Sequence, residues 1–205
     1  GAAGDSSIFD SELTVFNRDG TVASRVGDLR AGYYMAGAPD GKSHIVNLTD
    51  TRTGASDLWR LDLTSGARTA VTTMRSNGGY AGSPVWSPDG SQLAYGCQPP
   101  GVVDDICIKD MKSGTVTTAF ASRGEWEHPR DWSANGEYLL VDYNAYDETR
   151  NTRELRVLSM KTRKLEPYVS TRGQEAAFSP DTRFVAFSGT ETGRSEVYVT
   201  TFPER

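Results

Sequence analysis

The sequence predicts an all-β chain folded as a β-propeller of four-stranded antiparallel blades, with about five blades represented. Three observations predict it. One turn signature recurs four times at near-constant spacing, each copy is followed by the same succession of short strands, and no window of useful length carries apolar residues at helical spacing.

The signature reads Ala38-Pro39-Asp40-Gly41, Trp86-Ser87-Pro88-Asp89-Gly90, Trp132-Ser133-Ala134-Asn135-Gly136 and Phe178-Ser179-Pro180-Asp181, its Asp/Asn positions 49, 46 and 46 residues apart. Proline presets φ at the first turn position, Asp or Asn tolerates the next, and glycine takes positive φ, so the chain reverses into a hairpin. An apolar strand b follows each marker: Ser43–Leu48, Gln92–Tyr95, Tyr138–Asp142 and Phe184–Phe187. After a variable loop comes strand c, as in Asp57–Leu63, Asp105–Lys109, Glu154–Leu158 and Glu196–Val199. A second turn, Thr64-Ser65-Gly66 or Lys112-Ser113-Gly114, leads to a Thr- and Val-rich strand d such as Arg68–Thr72 or Thr115–Ala119. Upstream, Glu12–Phe16 and Thr21–Arg25 read as strands c and d with no marker before them. The repeats therefore run over 12–30 (strands c and d), 31–73, 80–121, 127–170 and 174–205, all in a single propeller domain or partial propeller over 1–205. A β-sandwich is the rival; units of constant length favour radial repetition, which leaves only short sheet edges.

Composition narrows the function classes. Hydrophobic residues make up 37% and charged residues 24%, with 21 glycines and 9 prolines, which suits a turn-rich folded chain rather than a disordered one. The net charge of −5 is spread in interspersed acids and bases, so no basic stripe exists to neutralise phosphates, and nucleic acid is not an expected partner. No stretch approaches the ~20 apolar residues that span a bilayer, so direct membrane insertion of this segment is not expected.

At the four markers and the strands after them the chain resembles the TolB-type, WD40-like β-propeller repeat of bacteria. The resemblance rests on Pro84-Val85-Trp86-Ser87-Pro88-Asp89-Gly90-Ser91-Gln92-Leu93-Ala94-Tyr95 and on Phe178 to Pro203, with Glu196-Val197-Tyr198-Val199-Thr200-Thr201-Phe202-Pro203 inside it. More narrowly, it is similar to the propeller sensor regions of bacterial eukaryotic-like serine/threonine kinases. Ala134-Asn135 and Thr182 depart from the Pro-Asp and Gly of the repeat, and both substitutions still permit a turn. The resemblance implies a ring of about six blades and more residues after Phe202-Pro203, so the expectation is either a truncated chain or a smaller ring of about five. Glu12–Arg25 is expected to pair with the other end; an open arc would expose edges and invite edge-to-edge association. It also implies a periplasmic or extracellular location, within a membrane-anchored protein.

Cys97 ends strand b and Cys107 lies in strand c of the same blade. Adjacent antiparallel strands bring such a pair into disulfide range, giving a bond formed outside the cytoplasm or else two buried thiols; with no histidine nearby, they make a poor zinc site. His44 reads as a strand residue. His128 lies in Arg123-Gly124-Glu125-Trp126-Glu127-His128-Pro129-Arg130-Asp131, read as a loop joining strand d of one blade to the innermost strand of the next, which propellers present at the mouth of the central channel. Equivalent segments carry Tyr33 and Tyr34, Arg75 and Tyr80, and Arg172 and Glu175. With Trp126, Glu127, His128 and Arg130 they form the expected ligand site, because aromatics and arginines anchor binding surfaces. The competing reading packs Trp126 between blades and leaves the charges solvated. The b–c loop Tyr143–Glu148 is expected to border the same face.

No G-x-S-x-G elbow, H-E-x-x-H, Walker loop or EF-hand loop occurs. The expectation is therefore a non-catalytic sensor or interaction propeller with no cofactor and no metal, binding a small molecule, glycan, peptide or partner protein. The alternatives are a propeller lyase or glycosidase, the propeller part of a prolyl-oligopeptidase-type hydrolase, and a TolB-like envelope scaffold.

Overall fold

The computed structural model describes residues 10–50, 52–74, 79–98, 105–121, 125–147, 150–171 and 175–203, and all regular structure of any length among them is β. β1 (Asp10–Phe16) pairs antiparallel with β2 (Val22–Gly37), whose second half pairs with β3 (Ser43–Thr49). β4 (Ser56–Asp62) and β5 (Arg68–Ala70) complete the first blade, and β6 (Tyr80–Trp86), β7 (Gln92–Gln98), β8 (Asp105–Asp110) and β9 (Val116–Phe120) form the second. A single parallel bridge, Ser56 to Tyr80, joins these two blades into one sheet. β10 (Trp126–Trp132), β11 (Tyr138–Asp147), β12 (Arg150–Ser159) and β13 (Leu165–Ser170) form a separate four-stranded blade. β14 (Ala176–Phe178), β15 (Phe184–Gly189) and β16 (Glu196–Thr201) form a three-stranded sheet. The inner strands β2, β6, β10 and β14 neighbour one another in turn, which is the radial order of a propeller.

The marker turns work as their chemistry dictates. Asp40, Asp89, Asn135 and Asp181 each accept, through Oδ1, the backbone N–H two residues on, at 2.9, 3.0, 3.1 and 3.1 Å. The next residue takes positive φ in all four: Gly41, Gly90 and Gly136 at 67°, 70° and 75°, and Thr182 at 59° despite its β-branch. Hydrogen bonds from Ser87 and then Ser91 hold Asp89 down at a pKa of about 2, and those from Ser179 and Arg183 do the same for Asp181.

Strand b of the first three blades is buried on both faces, which is why it reads as a continuous apolar run. Leu93, Tyr95 and Cys97 pack with Ile45, Leu58 and Val71 of the first blade, while Ala94 packs with Trp132, Leu139 and Val141 of the third. On the other face of that third blade, Leu140 and Leu155 meet Val185 and Phe202.

Three expectations are corrected. Thr21–Arg25 and the Tyr33-Tyr34 segment are not a strand followed by a loop but parts of β2, which bends at a ladder irregularity between Ala31 and Met35. Between the two segments stand Gly27 and Asp28, turn-forming types that here lie within the strand: Asp28 pairs with Glu12, and the β1–β2 register shifts at Gly27 without reversing the chain. Secondly, among the described residues β1 pairs with β2 and not with the other end of the chain: Leu13 and Val15 pack on Val46, Leu48 and Leu61 of the first blade, anchoring the hairpin there. Thirdly, Tyr143–Asp147 belong to β11, paired with Arg150–Glu154, so the expected b–c loop is mostly ladder.

Candidate functional site

β10 organises the site. The stretch expected as a loop is strand from Trp126 on, because it pairs with Leu139–Asn144 of β11, and it carries Trp126, Glu127, His128 and Arg130 in five consecutive positions that include Pro129. Trp126 is 48% exposed and Glu127 is fully buried, so Trp126 is not sequestered between blades.

His128 is the meeting point. Its Nδ1 lies 3.3 Å from Ser83 Oγ on β6, and its ring stacks with Tyr34 of β2 at a 6.3 Å centroid distance and 24°. Trp126 lies 6.3 Å away at a 58° tilt. Two backbone features allow this. The β6–β7 ladder slips between Gly82 and Val85, where Ser83 has φ 50°, and Glu127 O and His128 Nδ1 pack beside Gly96 of β7. Burial foremost, and then the nearby Arg130 cation, push His128 down to about 4, so the imidazole is neutral at physiological pH.

Arg130 ties two blades together. Its Nη2 donates to Asp142 Oδ2 at 2.8 Å, and Nη1 lies 3.8 Å from Glu175 Oε1 just ahead of β14. Burial raises the Asp142 pKa, and the Arg130 hydrogen bond opposes that rise. On the neighbouring strand, Arg156 stacks 3.3 Å from the Tyr143 ring centroid and pairs with Glu154 at 2.9 Å. Burial, followed by the hydrogen bond to Glu125, raises the Tyr143 pKa.

The structure thus brings Tyr34, Trp126, His128, Arg130 and Glu175 into one neighbourhood, with Glu127 buried beside them. Tyr80 folds over Gly82 of its own strand, where a Cβ would overlap the Tyr80 hydroxyl. Arg75 and Arg172 lie outside the described residues, as does the side chain of Tyr33. Sequence reasoning missed Ser83 and Asp142. Asp142 carried a signal, a lone carboxylate closing the apolar run Leu139-Leu140-Val141; Ser83 carried none.

Cys97 and Cys107 are joined by a disulfide with a Cα separation of 5.8 Å, buried between the first two blades. Among the described residues no three His, Cys, Asp or Glu side chains come together to hold a metal ion, and no helix is long and apolar enough to cross a membrane. Two clefts lie at the opposite rim, among the marker turns. One of about 290 Å³ is lined by Asp89, Gln92, Trp132 and Asn135, and one of about 170 Å³ by Asp40, Arg60, Trp86 and Asp89.

This radial series of blades defines a β-propeller, and comparison with solved structures places its fold among TolB-type propellers. The putative TolB from Agrobacterium tumefaciens is similar at 19% identity over 93% of this chain and 76% of that one, with a TM-score of 0.66. TolB from Acinetobacter baumannii is similar at 15% identity over 93% and 57%, TM-score 0.50, and an oligogalacturonate lyase in complex with manganese at 19% over 72% and 41%, TM-score 0.58. The chain thus spans little more than half of the Acinetobacter TolB and less than half of the lyase. No protein-family model matches the sequence, and no curated protein matches it.

Proposed function

We propose that this propeller is a non-catalytic binding module whose ligand docks at the channel-mouth end of the inner strands. One observation carries the reading: β2, β6 and β10 bring Tyr34, Ser83, Trp126 and His128 together beside the Arg130–Asp142 pair, with Trp126 half exposed. An aromatic row backed by a buried ion pair binds by shape and hydrogen bonding, and rigid inner strands preorganise it. The Cys97–Cys107 disulfide supports a location outside the cytoplasm, in keeping with the sensor propeller of a membrane-anchored protein.

The test is a thermal-shift and calorimetric screen of oligosaccharides, short peptides and small metabolites, with Trp126→Ala and His128→Gln as reporters. Binding that both variants weaken supports the reading. Binding that neither variant alters, or turnover of a bound compound, contradicts it.

A scaffold reading draws on a different feature: Val197 and Val199 are 76% and 65% exposed on β16, which is hydrogen-bonded to β15 alone among the described strands. Under that reading Val197→Lys with Val199→Lys abolishes association measured by sedimentation; unchanged association removes it.

A further inference from the structure

The site holds two buried polar atoms that its own charges leave unsatisfied. Arg130 has a side chain only 9% exposed, and although Nη1 and Nη2 face Glu175 and Asp142, its buried Nε has no hydrogen-bond partner. Asn144 Oδ1 is buried and equally without one. A buried donor or acceptor left without a partner is destabilising, so a fold that keeps both has reason to meet them when occupied.

Their placement is shared. Trp126 and Asn144 are direct partners in the β10–β11 ladder, which sets their Cβ atoms about 5 Å apart on one face. Asp142 lies two residues before Asn144, on the same face by strand alternation, and holds Arg130 there at 2.8 Å. One face of the β10–β11 pair therefore carries, in close succession, a half-exposed indole and, buried beneath the surface beside it, an orphan acceptor and an orphan donor that a ligand reaches only by displacing what covers them.

Charge decides what fits. Arg130 is paired with Asp142 and faced by Glu175, and Arg153, cross-strand from Asn144, also acts on Asp142; two cations against two carboxylates leave no net positive charge to reward an anion. A group that accepts from Nε–H and donates to an amide oxygen is a hydroxyl, and a flat indole beside it offers a platform for an apolar ring face. We infer that the channel-mouth site takes a neutral saccharide, one sugar ring lying on Trp126 with its hydroxyls between Arg130 Nε and Asn144 Oδ1. The inference rests on the binding-module reading and narrows it to one ligand class.

The experiment is calorimetric titration of the whole chain with neutral hexasaccharides of β-1,4-linked glucose, galactose, mannose and N-acetylglucosamine, and with hexagalacturonate as the charged comparator. The expected result is binding of at least one neutral hexasaccharide, weakened about tenfold or more by Trp126→Ala and by Asn144→Leu, with hexagalacturonate binding no more tightly. Thermal melts of both variants confirm that they fold; Trp126 is exposed enough that its truncation leaves the core intact. Hexagalacturonate binding tenfold more tightly overturns the charge argument. Saccharide binding unchanged in Asn144→Leu also overturns the inference, since a bridging water would then satisfy the orphan atoms. If no saccharide binds while peptides or metabolites do so in a Trp126- and His128-dependent way, the saccharide assignment falls and the binding-module reading survives. If nothing binds at this site, both fall.

Discussion

Lowering the pH from 7 to 4.5 should destabilise this protein through one residue, His128. Burial holds its folded pKa at about 4, against an ordinary 6.5, so below pH 6.5 the unfolded chain takes up a proton that the folded chain refuses. The sign follows: stability is fully present above pH 6.5 and drains as the pH falls toward 4. One proton bound by the unfolded chain alone lowers stability by about 1.4 kcal/mol for every pH unit, so the loss by pH 4.5 is about 2.5 kcal/mol. Other groups separate cleanly from it. The turn carboxylates Asp19, Asp62, Asp89, Asp110 and Asp181 are lowered from 3.8 and lose their contribution mainly below pH 4, while Glu196, lowered from 4.5, begins to lose its own near pH 4.5 in wild type and variant alike. Asp131 and Asp142 are raised and act in the opposite sense, but equally with and without the histidine. The assay is urea unfolding of the wild type and of His128→Gln at pH 7 and pH 4.5, compared at constant slope. The wild type should lose about 2.5 kcal/mol more than the variant over this interval. Parallel losses would refute the claim that a neutral, desolvated imidazole stands at the centre of the site.

Three further outcomes follow from named contacts. Replacing Cys97 and Cys107 together by serine opens the bond between residues 10 apart and should cost about 3 kcal/mol in urea unfolding, as should reduction by dithiothreitol. Asp57→Ala should cost about 3 kcal/mol, because buried Asp57 accepts from Thr72 Oγ1 and from Met74 N, both at 2.6 Å, and the N–H of Met74 is left unpaired. Diisopropyl fluorophosphate should leave the protein unlabelled: Ser83 approaches His128 but is 4% exposed, and adduct formation at Ser83, read by mass spectrometry, would reopen an enzymatic reading.

How much of this was legible in the sequence depends on how local the signal was. Marker turns are four-residue objects, so Pro88-Asp89-Gly90 announces its own hairpin, and even Ala134-Asn135 and Thr182 keep the turn because Asn offers the same acceptor oxygen and Thr tolerates the strained φ. Strand b was legible because both its faces are buried. The path of residues 22–37 was not, since whether Thr21–Arg25 joins the first blade or the last is decided by the packing of Leu13 and Val15 on Val46, a contact no local pattern encodes. In the site, Trp126, His128 and Arg130 were visible as a cluster of unlike side chains, but as a loop; that they stand on strand β10 follows from pairing with β11, which no local pattern encodes. Ser83 reaches that cluster only through a bulge, and Asn144 only through register, both properties of the assembled sheet.

The most direct test of the central claim is a crystal structure of the chain with the strongest binder from the saccharide and peptide screen. The account predicts that molecule seated on Trp126 beside His128 and Tyr34. Density instead in the marker-turn clefts around Asp89, at the other end of β6 and β10, would contradict it.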